Sequence, residues 1–163
     1  MSTAVVDTKN VSGRRQLQFN SLDDVLADAE TLARAGKIRT LGNWTPGQIF
    51  KHLAITMNAQ IDGMPLRPPW IFRVMGRLIF KKQILKKGMR PGFQLPANAV
   101  ATLIPPATTT IQEGLESLRA AVQRLKTDHS RVPSPFLGPL TEDESNRIQF
   151  RHAELHLSFL VVE

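Results

Sequence analysis

Apolar residues recur at steps of three and four in several stretches of the chain, and the stretches open on residues able to cap a helix. In the first, Leu22, Val25, Leu26, Ala29, Leu32 and Ala33 form a stripe behind Ser21, with Asp23 and Asp24 in the opening turn and Gly36 as a stop. The second begins at TPGQ, where Thr45 is the N-cap, Pro46 takes the first helical position and Gln48 reaches back to the cap. A helix is predicted from Pro46 to about Ile61, with Gln48, His52 and Thr56 following one another along one face. In the third, Ile111, Leu115, Leu118, Val122 and Leu125 make a bundle-like seam behind Thr110 and Glu113. A further capping box, Thr141 to Glu144, opens a helix predicted to run to the end of the chain. Residues 1–13 lack any period and are expected to be a flexible tail, and RRQLQF a short extended lead-in.

Between the second and third of these helices lies WIFRVMGRLIFKKQILKK, bounded by MPLRPP and by the turn-rich RPGFQLPAN. Trp70, Ile71, Val74, Met75, Leu78 and Ile79 share one side, with Arg73, Arg77 and Lys81 in steps of four beside them. The pattern therefore predicts an all-α fold, an antiparallel four-helix bundle over residues 14–163 with an additional basic amphipathic segment between its second and third helices.

Charge sharpens this picture. The chain carries a formal charge of +7, yet the stretch between Gly63 and Gln112 holds eight basic residues and no acidic one. The other thirteen basic and fourteen acidic residues nearly cancel, so the excess is local. Its apolar face is expected to pack on the bundle; a cover over a site and a peripheral membrane contact are the other readings. No nucleic-acid reader motif accompanies the charge, so nucleic acid is not expected as a partner. Arg14 and Arg15 lack the apolar run of an export signal and read as solvated charge, and the protein is expected to be cytoplasmic. With no cysteine, any metal has to bind through His, carboxylate or water.

Four histidines remain as candidate chemistry. His152 and His156 are four apart, so on a helix they project from neighbouring turns in one direction, as suits a shared ion. The same spacing arises where two polar residues merely share a face. His52 lies mid-helix among Ile49, Leu53 and Ile55; alone it reads most simply as a hydrogen-bonded core residue, but three imidazoles from facing helices would leave coordination positions open. His129, in a Pro-rich loop, is expected to be exposed and structural. Glu154 is turned about 200° from His152 and reads as a solvated surface charge, so HAELH is unlike the HExxH of zinc proteases. Gln48 and Gln149 are the candidates for orienting imidazoles or water.

NWTPGQIFKHLA, followed far downstream by LTEDESNRIQFRHAELHLSFL, resembles the DinB/YfiT-like superfamily of helical-bundle metalloproteins, and within it a branch of unknown function. The residues that carry the resemblance are Trp44, Gln48, His52 and Leu53, then His152 and His156; Ser145 and Asn146 stand where relatives often have an aromatic. It implies a four-helix core in which His52, His152 and His156 bind one divalent ion, nickel or zinc, with water completing the shell. It also implies thiol S-transferase chemistry as the leading enzymatic class. Neutral imidazoles leave the ion's charge uncompensated, which acidifies bound water or stabilises a thiolate, so hydrolysis and thiol transfer to a small electrophilic substrate are both expected chemistries. The thiol would arrive as a low-molecular-weight cosubstrate. The rival from another class is a non-enzymatic metal-binding or interaction protein that docks through its basic segment. A homodimer would be compatible with either, though no helix face is singled out for it.

Overall fold

The three predicted capping boxes close, and Ser21 forms a fourth with Asp24. In the computed structural model, which describes residues 5–92 and 101–163, the Ser21 hydroxyl accepts from the Asp24 N–H while the Asp24 carboxylate accepts from the Ser21 N–H. The same reciprocal pair joins Thr45 to Gln48, Thr110 to Glu113 and Thr141 to Glu144. The elements in chain order are α1 (Leu22–Arg34), β1 (Ile38–Thr40), α2 (Pro46–Asp62), α3 (Trp70–Met75), α4 (Lys81–Lys87), α5 (Ile111–Thr127), α6 (Glu142–Leu157) and β2 (Leu160–Val162). A π-helical turn, Gly76–Phe80, joins α3 to α4, and a 3₁₀ turn, Thr8–Asn10, precedes α1.

α2 packs most extensively on α5; α1 lies against α5 and α6, and α2 against α6. The core between them is filled by Val25, Ala29 and Leu32, by Phe50, Leu53 and Met57, by Leu118, Val122 and Leu125, and by Ala153 and Leu157. Burying a large apolar side chain of this kind stabilises the fold by roughly 1.5–3 kcal/mol. α2 and α5 meet backbone to backbone: a methyl group at Gly47 would overlap the Thr109 carbonyl, and one at Gly114 the Gly47 carbonyl. That contact sets the height of α2, and therefore of His52, in the assembly.

Several expectations are corrected. The fold is mostly helical but not all-α, because β1 and β2 pair antiparallel, with Ile38 opposite Val162 and Thr40 opposite Leu160. The last helix accordingly stops at Leu157 rather than running to the end. Val161 and Val162 favour an extended backbone, and the turn lets Leu160 become fully buried. Arg14 and Arg15 are not solvated charge. Arg15 grips Asp28 through two bonds of 2.7 Å and donates to the Leu160 and Leu157 carbonyls, while Arg14 donates to the Ser158 hydroxyl and lies 4.2 Å over the Phe159 ring. Both reach the uncapped carbonyl end of α6, where a cation is favoured. Residues 14–19 form no regular element, but the Arg15 N–H donates to Ser158 O. In the segment expected to be a flexible tail, Val6 exchanges two hydrogen bonds with the Asn43 side chain.

The basic segment is helical from residue 70 to residue 87, yet its apolar face does not pack on the core. Trp70 is 72% and Leu78 66% exposed. The helix instead docks by its glycine side: Gly76 is buried against the Phe136 backbone, so closely that a methyl group would overlap the Phe136 carbonyl. Lys81 completes the attachment by pairing with Glu144 at 2.7 Å. The bounding stretch RPGFQLPAN passes, from residue 93 on, outside the described residues.

Candidate metal centre

The cap of α2 and the end of the helical residues 101–103 together fix the first imidazole. Gln48 spends its side-chain oxygen on the Thr45 N–H, at 2.9 Å, and its amide nitrogen on the Pro105 carbonyl, at 2.8 Å. This ties the chain after Leu103 to the start of α2. Leu103 is itself buried beside Leu66, with Ile55, Met64 and Phe136 around them. Residues 101–103 are helical, so the Leu103 carbonyl is one of those a helix leaves free at its end. It lies 2.6 Å from His52 Nδ1. A carbonyl only accepts; Nδ1 therefore carries the proton, and His52 Nε2 points its lone pair elsewhere.

Elsewhere is α6. His52 Nε2 lies 3.2 Å from His152 Nε2, and the rings of His152 and His156, one turn apart, have centroids separated by 4.6 Å. One ligand atom from each of the three imidazoles falls within 4.8 Å of the other two. His152 Nδ1 lies 3.3 Å from the Thr56 hydroxyl, which is 3.0 Å from the Leu53 carbonyl. Two proton arrangements satisfy this chain. If Thr56 donates to Leu53, it accepts from His152 Nδ1–H, and two lone pairs then face each other across 3.2 Å and require a cation. If Thr56 turns to His152 Nδ1, a proton on His152 Nε2 bridges to His52.

All three rings are held neutral. The pKa of His52 is lowered chiefly by burial, partly offset by its bond to Leu103. Those of His152 and His156 fall well below the usual histidine value, first through loss of water and then through the neighbouring imidazoles, with Arg14 adding to the effect on His156. Neutral imidazole is the form that binds a metal. Two nitrogens on one zinc ion at ~2.1 Å lie about 3.4 Å apart, so the His52–His152 pair is already spaced for it, and closing the widest gap needs a ring movement of roughly an ångström. The donor set thus fits a divalent ion of nitrogen-binding type.

A profile of the family described as protein of unknown function (DUF1569) matches residues 11–163. The chain belongs to the DUF1569 family. Comparison with curated proteins and with solved structures gave no match.

In this DUF1569 chain, His52, His152 and His156 are brought together and His129 is not: the last is exposed and bonds Glu142 at 2.8 Å. Gln149 reaches Thr56 on both its hydroxyl and its carbonyl, and so stands one residue behind His152. Both ends of Gln48 are engaged away from the imidazoles; it acts on them through the Pro105–Leu103 chain. Glu154 is not solvated. Its carboxylate accepts from the Phe19 N–H at 2.7 Å and pairs with Arg151, and its side chain is only 14% exposed. Ser145 is buried, and Asn146 accepts from Arg131. Trp44, beside the N-cap, stacks on His156 with an interplanar angle of 6° and meets His52 edge-on. Sequence reasoning missed the Leu103 carbonyl, for which side-chain identity holds no signal, and the bond from Thr56, although Thr56 stood on the right face.

Proposed function

We propose that this DUF1569 protein is a metal-binding protein of the DinB/YfiT-like type, in which His52, His152 and His156 hold one divalent ion, nickel or zinc. The observation that carries the reading is the convergence of three neutral imidazoles from α2 and α6, two of them with Nε2 atoms 3.2 Å apart and one with its proton committed to Leu103. The packing of α1, α2, α5 and α6 around one core supports the antiparallel four-helix bundle of that superfamily.

The function this supports best is metal-dependent transfer of a thiol to a small electrophilic substrate, or hydrolysis of such a substrate. When bound, the ion supplies Lewis acidity, lowering the pKa of water or of a thiol. The chain's own residues position and insulate: Leu103 and Thr56 orient two of the imidazoles, and Trp44 walls the third. His152 and His156 are half-buried as residues, against Trp44 and Thr56. The exposed apolar face of the basic helix favours a second reading, a protein whose role is to dock on a partner, with or without catalysis.

Elemental analysis of the purified protein beside a His52→Ala variant tests the site. About one divalent ion per chain is expected in the parent and none in the variant. Equal metal content in two folded samples would remove the centre, and with it the catalytic reading.

A further inference from the structure

The helix from residue 70 to residue 87 has an organisation that its bundle contacts do not explain. Trp70, Ile71, Phe72, Val74, Met75, Leu78, Ile79 and Phe80 are all exposed, while Gly76 alone between Trp70 and Phe80 is buried. At about 100° per residue, Ile71, Val74 and Leu78 gather within about 40° of the direction opposite Gly76, with Met75 on the flank beside them. The body is thus held by the glycine edge, and the apolar face is turned outward. Arg73 and Arg77 flank it, and one helical turn further on Lys82, Lys86, Lys87 and Arg90 converge around a shallow concavity. Lys81 is spent on Glu144, but these other basic residues are not accompanied by any acidic residue between Gly63 and Gln112.

We propose that this helix is an interfacial element that lies on an anionic lipid bilayer, its apolar face entering the headgroup boundary and its Lys and Arg residues meeting lipid phosphates and carboxylates. The composition, with Trp and Phe beside aliphatic residues on one face and basic residues around it, is what an interfacial helix requires. Lying on the bilayer is the only mode available to it, since no helix among the described residues is long and apolar enough to cross a membrane. Charge separates lipid from the other obvious occupant. A second copy of the chain, set face to face across this surface, would bring Arg73, Arg77 and the Lys82–Arg90 group against their own counterparts, whereas an anionic bilayer supplies the missing negative charge. The inference does not depend on whether the histidine cluster holds a metal.

Flotation of the full chain with vesicles tests it, using phosphatidylcholine alone and phosphatidylcholine mixed with phosphatidylserine. Binding to the anionic vesicles at least about tenfold tighter than to the neutral ones is expected, weakening with salt, because basic residues are drawn to an anionic surface and salt screens the attraction. Trp70 emission should shift to the blue on binding, and the shift should vanish in Trp70→Ser, which leaves Trp44 as the remaining indole. A Val74→Glu, Leu78→Glu variant should float with neither vesicle. Both positions are exposed, so its unfolding temperature should stay that of the parent. Equal binding to neutral and anionic vesicles, or none to either, would overturn the proposal. A parent that ignores vesicles but forms a dimer abolished by the same double substitution would assign the face to a second copy instead.

Discussion

Thr56 gives the sharpest access to the histidine cluster, because its hydroxyl is the one orienting partner of an imidazole that a side-chain substitution removes while leaving shape intact. Its oxygen stands 3.3 Å from His152 Nδ1, 3.0 Å from the Leu53 carbonyl and 3.4 Å from Gln149 Oε1. Thr56→Val keeps the branched outline and deletes all three contacts. In the proposed metal-bound arrangement His152 would donate from Nδ1 to this hydroxyl, which would fix the ring and raise the basicity of Nε2. Loss of such a partner typically costs about 10- to 100-fold in metal affinity, or about 1.4–2.7 kcal/mol. The cost to folding alone is smaller. The hydrogen bonds are long, and a neutral one contributes about 1 kcal/mol net.

The two effects separate in a competition titration against a chromophoric chelator, run on protein whose circular dichroism and urea midpoint are recorded alongside. Thr56→Val is expected to raise the dissociation constant by at least about tenfold. Thr56→Ser, which restores the hydroxyl, is expected to recover most of that loss despite the missing methyl. A valine variant that binds metal as tightly as the parent while remaining folded would refute the assignment of the His152 Nδ1 proton to Thr56. A serine variant as weak as valine would show that packing at this position, rather than the hydrogen bond, is what the ion senses.

Other consequences follow from the same geometry. Arg15→Ala removes a two-bonded grip on Asp28 and two carbonyl contacts at the end of α6, so the urea midpoint should fall by an amount equivalent to about 2 kcal/mol, and Arg15→Lys should restore only part of it. Gly114→Ala drives a methyl group into the Gly47 carbonyl and the Phe50 side chain; a loss of roughly 1–3 kcal/mol in thermal unfolding is expected, and a neutral result would show that α2 and α5 slide apart freely. For the metal-free protein, the three histidine pKa values are depressed on folding, so the unfolded chain binds more protons in acid. Stability should therefore be at its plateau above the ordinary histidine value of about 6.5 and decline as pH falls below it; stability that rises on acidification to pH ~5 would contradict the burial of the imidazoles.

The four principal helices were legible because each signal was local. A capping box spans four residues, and Thr45 with Gln48 closes in the structure as its spacing predicts. The convergence of His52 with His152 and His156 was an open alternative from the helix faces and became the leading one only through resemblance, since no local rule relates residues a hundred positions apart. The failures share a cause of the opposite kind. Arg14, Arg15 and Glu154 looked like solvated charge because their neighbours in sequence are polar, but the groups they meet, among them Asp28, Ser158, Phe19 and the carbonyls ending α6, arrive from other segments. The strand at residues 160–162 was hidden because its partner, Ile38–Thr40, is too short to show alternation. The basic helix is the most instructive difference. Its amphipathic pattern was read with the usual assumption that an apolar face seeks the core of its own chain, and a single residue reverses that outcome. Gly76, which weakens a helix by propensity, is the point at which backbone meets backbone, and the apolar side chains around it, Val74 and Leu78 on the far side among them, are left exposed. A periodic pattern tells which residues share a face; which way the face turns depends on where the close contact lies.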